Sequence, residues 1–150
     1  MNQEKIMKAK MISAFVIALI SVVGVFVFAG LYTEKSKEIQ RTYREKYIEN
    51  VQYASDEIQT YLTKKKDYEI RYNMILSDMG AARNLIFLID GKEKEQNVFN
   101  ELHYCFVKYP QQMKDKLQDV KKALDDIGDN LDKGYDEAEK IVDSVDKMGK

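Results

Sequence analysis

The sequence has few of the residues on which catalytic and metal sites usually depend. Its 150 residues include one cysteine, one histidine, one proline and no tryptophan. Because Cys105 is the only cysteine, an intrachain disulfide is excluded, and on a helix it would face a different side from His103, two positions away. The sequence also has no nucleophile–base pair, no glycine-rich phosphate loop and no cysteine cluster. We therefore predict that the protein is not an enzyme and has no catalytic residues, no metal site and no cofactor.

A strong excess of charge of either sign is also absent. The formal net charge is −1 although 33% of the residues are charged, and this balance argues against a nucleic-acid partner. A composition with many charged residues, one proline and no low-complexity tract is typical of long helices. We predict an all-α protein.

One long uncharged apolar run separates a short N-terminal tail from the rest of the chain. Residues 11–31 read MISAFVIALISVVGVFVFAGL and contain no charged side chain. As a helix they would be roughly 30 Å long, which is the thickness of the hydrocarbon core of a bilayer. We predict a basic tail at residues 1–10, a transmembrane helix at residues 11–31 with the lipid bilayer as its partner, and a helical domain at residues 32–150.

A secretory signal peptide is the competing interpretation of this run. Val27 and Ala29 would suit a small-residue cleavage site before Gly30. The run is longer than the roughly 7 to 15 residues of a signal-peptide core, which favours an uncleaved signal anchor. The three lysines of residues 1–10 favour a single-pass cell-membrane protein with a cytoplasmic N-terminus and an extracytoplasmic domain. The five basic residues within residues 32–46 act against this orientation.

A regular apolar stripe follows the apolar run. Its members are separated by alternating steps of four and three residues, and the average of 3.5 indicates a helix with one face against another helix. Lys65 alone interrupts the apolar character, and its long stem can lie along such a face with the ammonium in water. We predict one continuous helical arm over residues 32–89. The stripe consists of Tyr47, Val51, Ala54, Ile58, Tyr61, Lys65, Tyr68, Tyr72, Ile75, Met79, Ala82, Ile86 and Ile89.

A turn is predicted where this stripe ends. Asp90 is followed by Gly91, and glycine suits the left-handed backbone position just past the end of a helix. A second apolar stripe begins at Phe99 and includes Phe106 and Gly134. We predict a turn at residues 90–91 and a second helical arm over residues 92–148.

Pro110 lies inside the second arm. Proline removes a backbone hydrogen bond and either kinks a helix or begins a new one. The apolar stripe continues through Pro110, which favours a bend in one helix. The alternative is a three-helix arrangement in which residues 92–108 fold back as a separate helix.

The two arms have nearly equal lengths, 58 and 57 residues, so we predict a long antiparallel hairpin that resembles a coiled coil. A turn at residues 90–91 pairs positions whose numbers sum to about 181. This register places Ala54 beside Ile127 and Tyr47 beside Gly134, so that large side chains face small ones.

The arms carry more apolar residues than a two-helix interface uses. A two-helix interface requires two apolar positions in seven, whereas this chain supplies nearly three. A second copy could cover the surplus and complete a dimeric four-helix bundle. We predict a homodimer, or a complex with another membrane or envelope protein, through a surface that includes Leu85, Phe87, Leu88, Val98 and Val107.

The functional expectation follows from the apolar run, the arms and the absent motifs. We predict a single-pass, membrane-anchored helical module that acts in protein–protein interaction or scaffolding and has no catalytic activity. The alternative is an extracytoplasmic helical-bundle domain that senses a ligand and signals through a partner protein. Its pocket would lie where Pro110 disturbs regular packing, between Tyr68, Tyr72, Tyr109 and Met113.

Overall fold

The chain is all-helical, as the composition predicts. The structure, a computed structural model, describes residues 3–148, and within that range it contains helices and no strand. Positions 1–2 of the predicted tail and positions 149–150 of the predicted domain lie outside the described residues. The helices are α1 (Gln3–Lys64), α2 (Tyr68–Ile86), α3 (Glu93–Lys108), α4 (Pro110–Asp115), α5 (Leu117–Asp129) and α6 (Tyr135–Asp143).

The chain divides into two compact units, with the boundary between Ile39 and Gln40. The described part of the first unit belongs entirely to α1, and its large apolar side chains are exposed. The second unit, which we call the bundle, contains residues 40–64 of α1 and all the other helices.

The first predicted arm is not continuous, because α1 ends at Lys64 and α2 begins at Tyr68. Lys65 and Asp67 adopt positive φ angles of 52° and 57°, which reverse the chain. Three consecutive lysines repel one another and suit the negative end of a helix dipole, and aspartate tolerates the left-handed conformation better than most residues. The prediction of one helix over residues 32–89 was therefore wrong.

Side-chain contacts show that α2 runs back along α1. Arg71 of α2 forms an ion pair with Glu57 of α1, and the rings of Tyr61 and Tyr68 lie 5.0 Å apart on either side of the reversal. Further along, the Gln40 side chain bonds to the backbone after the end of α2. The two helices are therefore antiparallel neighbours.

The second predicted arm is also divided. α3 ends at Lys108, and Pro110 is the first residue of α4, a position where the missing N–H of proline costs nothing. The chain then reverses through α4 into α5. The prediction of a bend at Pro110 was wrong, and α3 is a separate helix, as in the alternative, although the bundle has more than three helices.

Many contacts between the arms nevertheless have the predicted register. Ser55 of α1 donates a hydrogen bond to Asp125 of α5, and the Gln52 side chain lies against Gly128, so both pairs sum to 180. Between α2 and α3, the Tyr72 hydroxyl donates to the Phe106 carbonyl oxygen at 2.7 Å. The chain thus keeps the arm-to-arm pairing of the predicted hairpin, but each arm reverses direction near its middle, so the hairpin is folded double.

A further reversal at residues 130–134 departs from the predicted second arm. Gly134 has a φ angle of 80°, and it starts α6 in the opposite direction to α5. α6 runs parallel to α3, as the ion pairs Lys94–Asp136 and Glu101–Lys147 show. Residues 135–148 therefore do not continue along α1, and the prediction of one arm to residue 148 was wrong.

The five longer helical segments of the bundle enclose one apolar core. Several surplus apolar residues, including Val98, Cys105 and Val142, are buried within this single chain. The doubled chain buries apolar surface that a single hairpin would leave exposed, which is favourable for folding. The largest fully buried side chains are Tyr47, Ile58, Ile75, Met79, Ile86, Ile89, Phe99, Leu102, Phe106, Met113, Leu117 and Leu124.

Candidate functional site

The apolar part of α1 is long and apolar enough to cross a membrane, and none of its most apolar window is buried. A signal sequence near the N-terminus meets the same criteria of length and composition. Its few hydroxyl groups are satisfied by the helix itself: Ser13 donates to the Lys10 carbonyl oxygen and Ser21 to that of Ile17, each at 2.9 Å. This stretch of α1 therefore exposes few unpaired polar groups, as a helix surrounded by lipid requires.

The residues of the predicted interaction surface do not form one surface. Val98 is buried in the core beside α6, so its predicted role at a surface was wrong, and Leu85 is only partly exposed. Phe87 and Leu88 are exposed in the loop between α2 and α3. Val107 is exposed near the other end of α3.

Two further apolar side chains are exposed on α2. Ile70 and Met74 are four residues apart, so they are neighbours on the outer face of this helix. On the adjacent helix α3, Tyr104 and Val107 are also exposed and three residues apart. The adjacent helices α2 and α3 thus each carry one pair of exposed apolar side chains.

Two residues of the predicted ligand pocket lie in one cleft. Tyr68 and Tyr72 line an open cleft of about 480 Å³ between the start of α2 and the start of α4. Their rings are 5.3 Å apart, and the Tyr72 ring stacks on Phe106 at 5.5 Å. The other residues that line the cleft are Glu69, Asn73, Pro110, Gln111 and Lys114.

The cleft combines aromatic faces with one cation. The Lys114 ammonium lies 4.3 Å from the centre of the Tyr68 ring, which is within the range of a cation–π contact. Burial, and then the neighbouring Tyr61, raises the pKa of Tyr68 to about 12, so its hydroxyl stays protonated at neutral pH. This hydroxyl donates to the Pro110 carbonyl oxygen at 3.4 Å and ties α2 to α4.

The other two predicted pocket residues lie outside this cleft. Met113 is fully buried in the core. The Tyr109 hydroxyl donates to the Lys147 carbonyl oxygen at 3.1 Å, and its ring contacts Tyr104 edge to face at 6.3 Å. Tyr109 lies in the break between α3 and α4, directly before Pro110.

Two polar clusters hold the end of the bundle that contains the α2–α3 loop. The Tyr47 and Tyr135 hydroxyls share a buried hydrogen bond of 2.8 Å. The Lys92 ammonium donates to Glu95 at 3.1 Å, to the Leu131 carbonyl oxygen at 3.1 Å, and to Asp132. The first contact connects α1 to α6, the second connects the α2–α3 loop to α3 and to the loop before α6, and sequence reasoning identified neither.

Within residues 3–148, no three histidine, cysteine, aspartate or glutamate side chains lie close enough to hold a metal ion. Comparison with protein-family models gave no match, and neither did comparison with curated proteins or with solved structures.

Proposed function

We propose that the chain is a single-pass membrane protein whose bundle binds other proteins, first of all a second copy of itself. One observation carries the proposal: a fully exposed apolar helix is joined to a bundle that has a filled core and still exposes large apolar side chains. An exposed apolar helix of this length is stable in a bilayer and costly in water. The proposal assigns the chain no catalytic activity.

The α2–α3 side is the proposed protein-binding surface. Met74 on α2 and Val107 on α3 are both exposed, and large exposed apolar side chains favour association with another protein. In the predicted homodimer, α2 and α3 of one bundle would contact α2 and α3 of the second bundle. The first unit would then act as the anchor and the bundle as the scaffolding module.

Oligomeric state measured by light scattering on the full chain in detergent tests this proposal. We expect the wild type to form a dimer whose fraction rises with concentration. The Met74→Lys/Val107→Lys double variant should be shifted toward the monomer, because it buries two charges in the interface. Gln118→Lys, an exposed position on α5, adds the same type of charge away from that surface and should not change the dimer. A wild type that is monomeric at every concentration and retains no protein in a pull-down contradicts the proposal.

The proposed orientation has a cytoplasmic N-terminus and an extracytoplasmic bundle in the cell membrane. Lys5, Lys8 and Lys10 support this orientation, because basic residues next to a span remain on the cytoplasmic side. Reporter fusions at the two termini test it. Activity of an extracytoplasmic reporter at the N-terminus would contradict it.

A second candidate function is ligand sensing, which the cleft at Tyr68 and Tyr72 favours. The Lys114 ammonium beside these rings suits a small molecule that carries both a carboxylate and an aromatic ring. A panel of aromatic carboxylates should then raise the unfolding temperature of the full chain, and Lys114→Met should abolish the rise. Lys122→Met, at an exposed position on α5, is the matched control. The absence of any stabilisation contradicts this function.

A further inference from the structure

The loop between α2 and α3 exposes two apolar side chains in an ordered arrangement. Ile86 and Ile89 point into the core, whereas Phe87 and Leu88 between them are 54% and 47% exposed. Two turn hydrogen bonds fix the backbone here: Leu88 N–H donates to Leu85 O at 2.9 Å, and Ile89 N–H donates to Ile86 O at 3.2 Å. The exposure of Phe87 and Leu88 is therefore a property of the folded loop.

The side chain of Gln40 fastens this loop to α1. Its amide nitrogen donates to the Leu88 carbonyl oxygen at 3.0 Å, and its amide oxygen accepts from the Asp90 N–H at 3.0 Å. The far side of the loop is held by the buried Lys92, which bonds to the loop before α6. Phe87 and Leu88 are thus held at the end of the bundle where Gln40 enters it.

The chain itself limits how far this loop can be from a bilayer. Gln40 lies nine residues after Leu31, the last residue of the apolar run, and nine residues span at most roughly 30 Å even when fully extended. A tether this short keeps the loop at a high effective concentration near the membrane surface. Weak apolar contacts that would not hold a free protein on a membrane are then sufficient.

We propose that Phe87 and Leu88 insert into the interfacial layer of the bilayer and hold the bundle against the membrane surface. The inference rests on the proposed membrane anchor, since without the anchor the tether argument disappears. Aromatic and leucine side chains are favourable at the boundary between headgroups and acyl chains. The loop carries Asp90 near Lys92, and Glu93 is followed by Lys94, so insertion requires no anionic lipid.

The size of this feature favours lipid over a protein partner. A standard protein interface buries about 800 Å² on each partner, whereas a large side chain buries about 150 to 250 Å² even when it is fully covered. Two side chains that are half exposed fall well short of such an interface. A bilayer requires no complementary surface, and its affinity increases with each apolar group that enters it.

Tryptophan fluorescence in reconstituted vesicles tests the inference, because the chain has no tryptophan of its own. The full chain carrying Phe87→Trp is placed in phosphatidylcholine vesicles with brominated acyl chains, which quench tryptophan in contact with them. Gln118→Trp is the matched control: Gln118 is exposed and lies roughly 16 Å along α5 from Asp129, at the end of α5 away from the loop. Phe26→Trp, within the apolar run, reports on the anchor.

We expect Phe87→Trp to emit at shorter wavelength than Gln118→Trp and to be quenched several-fold more strongly. Strong quenching of Phe26→Trp without quenching of Phe87→Trp would overturn the inference and leave the anchor standing. Absence of quenching at both positions would overturn both. A short-wavelength emission of Phe87→Trp that is not quenched and weakens as the protein is diluted in lipid would show that a second copy covers the loop, and would also overturn the inference. Leu88→Trp repeats the measurement, and circular dichroism checks that each variant is folded.

Discussion

Substitution of Gly134 by alanine should be among the most damaging single-methyl changes in the bundle. Gly134 precedes α6 with a φ angle of 80°, a conformation that costs an L-residue about 1 to 2 kcal/mol. A Cβ atom there would lie 2.4 Å from the Ala123 carbonyl oxygen and 2.8 Å from Cγ1 of Ile127. The first of these atoms belongs to the backbone of α5, so the clash cannot be relieved by a side-chain rotation.

The two costs add because they have separate origins. Overpacking of a well-packed site typically costs about 1 to 3 kcal/mol, so Gly134→Ala should lower the free energy of unfolding by roughly 2 to 5 kcal/mol. For a domain near 100 residues, each kcal/mol shifts the unfolding temperature by roughly 4 to 8 °C. We therefore expect a fall of roughly 10 °C or more in the thermal transition of the full chain in detergent, followed by circular dichroism.

Two other glycines separate the causes. Gly91 has a similar φ angle of 72° but no atom within 4 Å of the added Cβ, so Gly91→Ala should cost only about 1 kcal/mol. Gly80 is inside α2, and its added Cβ would make an ordinary contact with His103, so Gly80→Ala should stabilise the bundle by up to about 1 kcal/mol. If Gly134→Ala costs no more than Gly91→Ala, the close approach of α5 and α6 is refuted.

Three further predictions concern the reversal after α1, a buried hydrogen bond and a histidine. Lys65→Gly should raise the free energy of unfolding by up to about 1 kcal/mol, because glycine adopts the positive φ angle of this position without strain. Lys66→Gly is the control: its φ angle is not positive, so glycine should lower the free energy of unfolding there. If urea unfolding shows a lower free energy of unfolding for both variants, the helix is continuous through this loop. Tyr47→Phe should lower the free energy of unfolding by about 1 to 3 kcal/mol, because it leaves the buried Tyr135 hydroxyl without a hydrogen-bond partner. The double variant Tyr47→Phe/Tyr135→Phe should regain part of that loss. If the losses of the two single variants simply add in the double variant, the hydrogen bond is refuted. Burial, and then the nearby Arg83 guanidinium, lowers the pKa of His103 below 6.5, so the folded state binds fewer protons than the unfolded state. The free energy of unfolding should therefore fall as the pH drops through 6.5. The urea midpoint of His103→Gln should depend less on pH than that of the wild type, and an equal dependence would refute the prediction.

The apolar stripes identified the core well. Ile58, Ile75 and Phe106 were selected by spacing alone, and all three are buried. The period of a stripe reports which residues share a face, and it continues in phase whether the helix continues or reverses through a short loop. For this reason the pairing register of Ser55 and Asp125 follows the predicted sum even though both arms are broken.

The reversals were harder to predict because their signals were weak or ambiguous. The loop after α1 contains neither glycine nor proline, and its two left-handed residues are Lys65 and Asp67. Pro110 is compatible with a bend and with a helix start, and only the tertiary structure decides between them. Gly134 stood on the apolar stripe, and its role depends on how closely α5 approaches, which spacing cannot reveal.

The candidate sites were predicted less completely than the core. Phe87 and Leu88, which we predicted to be in excess of a two-helix interface, are exposed. Val98 belonged to the same set, but α6 covers it, and the direction of α6 depends on the reversal at Gly134. Gln40 was missed because a polar residue on a long helix gives no sign of a partner 48 positions away.

The folded-double hairpin also determines the order in which the bundle can assemble. α2 and α3 are close in sequence, so they can pair early at a small cost in loop-closure entropy. Residues 40–64 of α1 can also pair early with α2, but their contacts with α5 and α6 come much later in the chain: the hydrogen bond between Tyr47 and Tyr135 joins positions 88 residues apart. During synthesis, residues 40–64 emerge before the rest of the bundle and can pack against α2 soon afterwards, whereas Tyr47 gains its hydrogen-bond partner only after Tyr135 has followed.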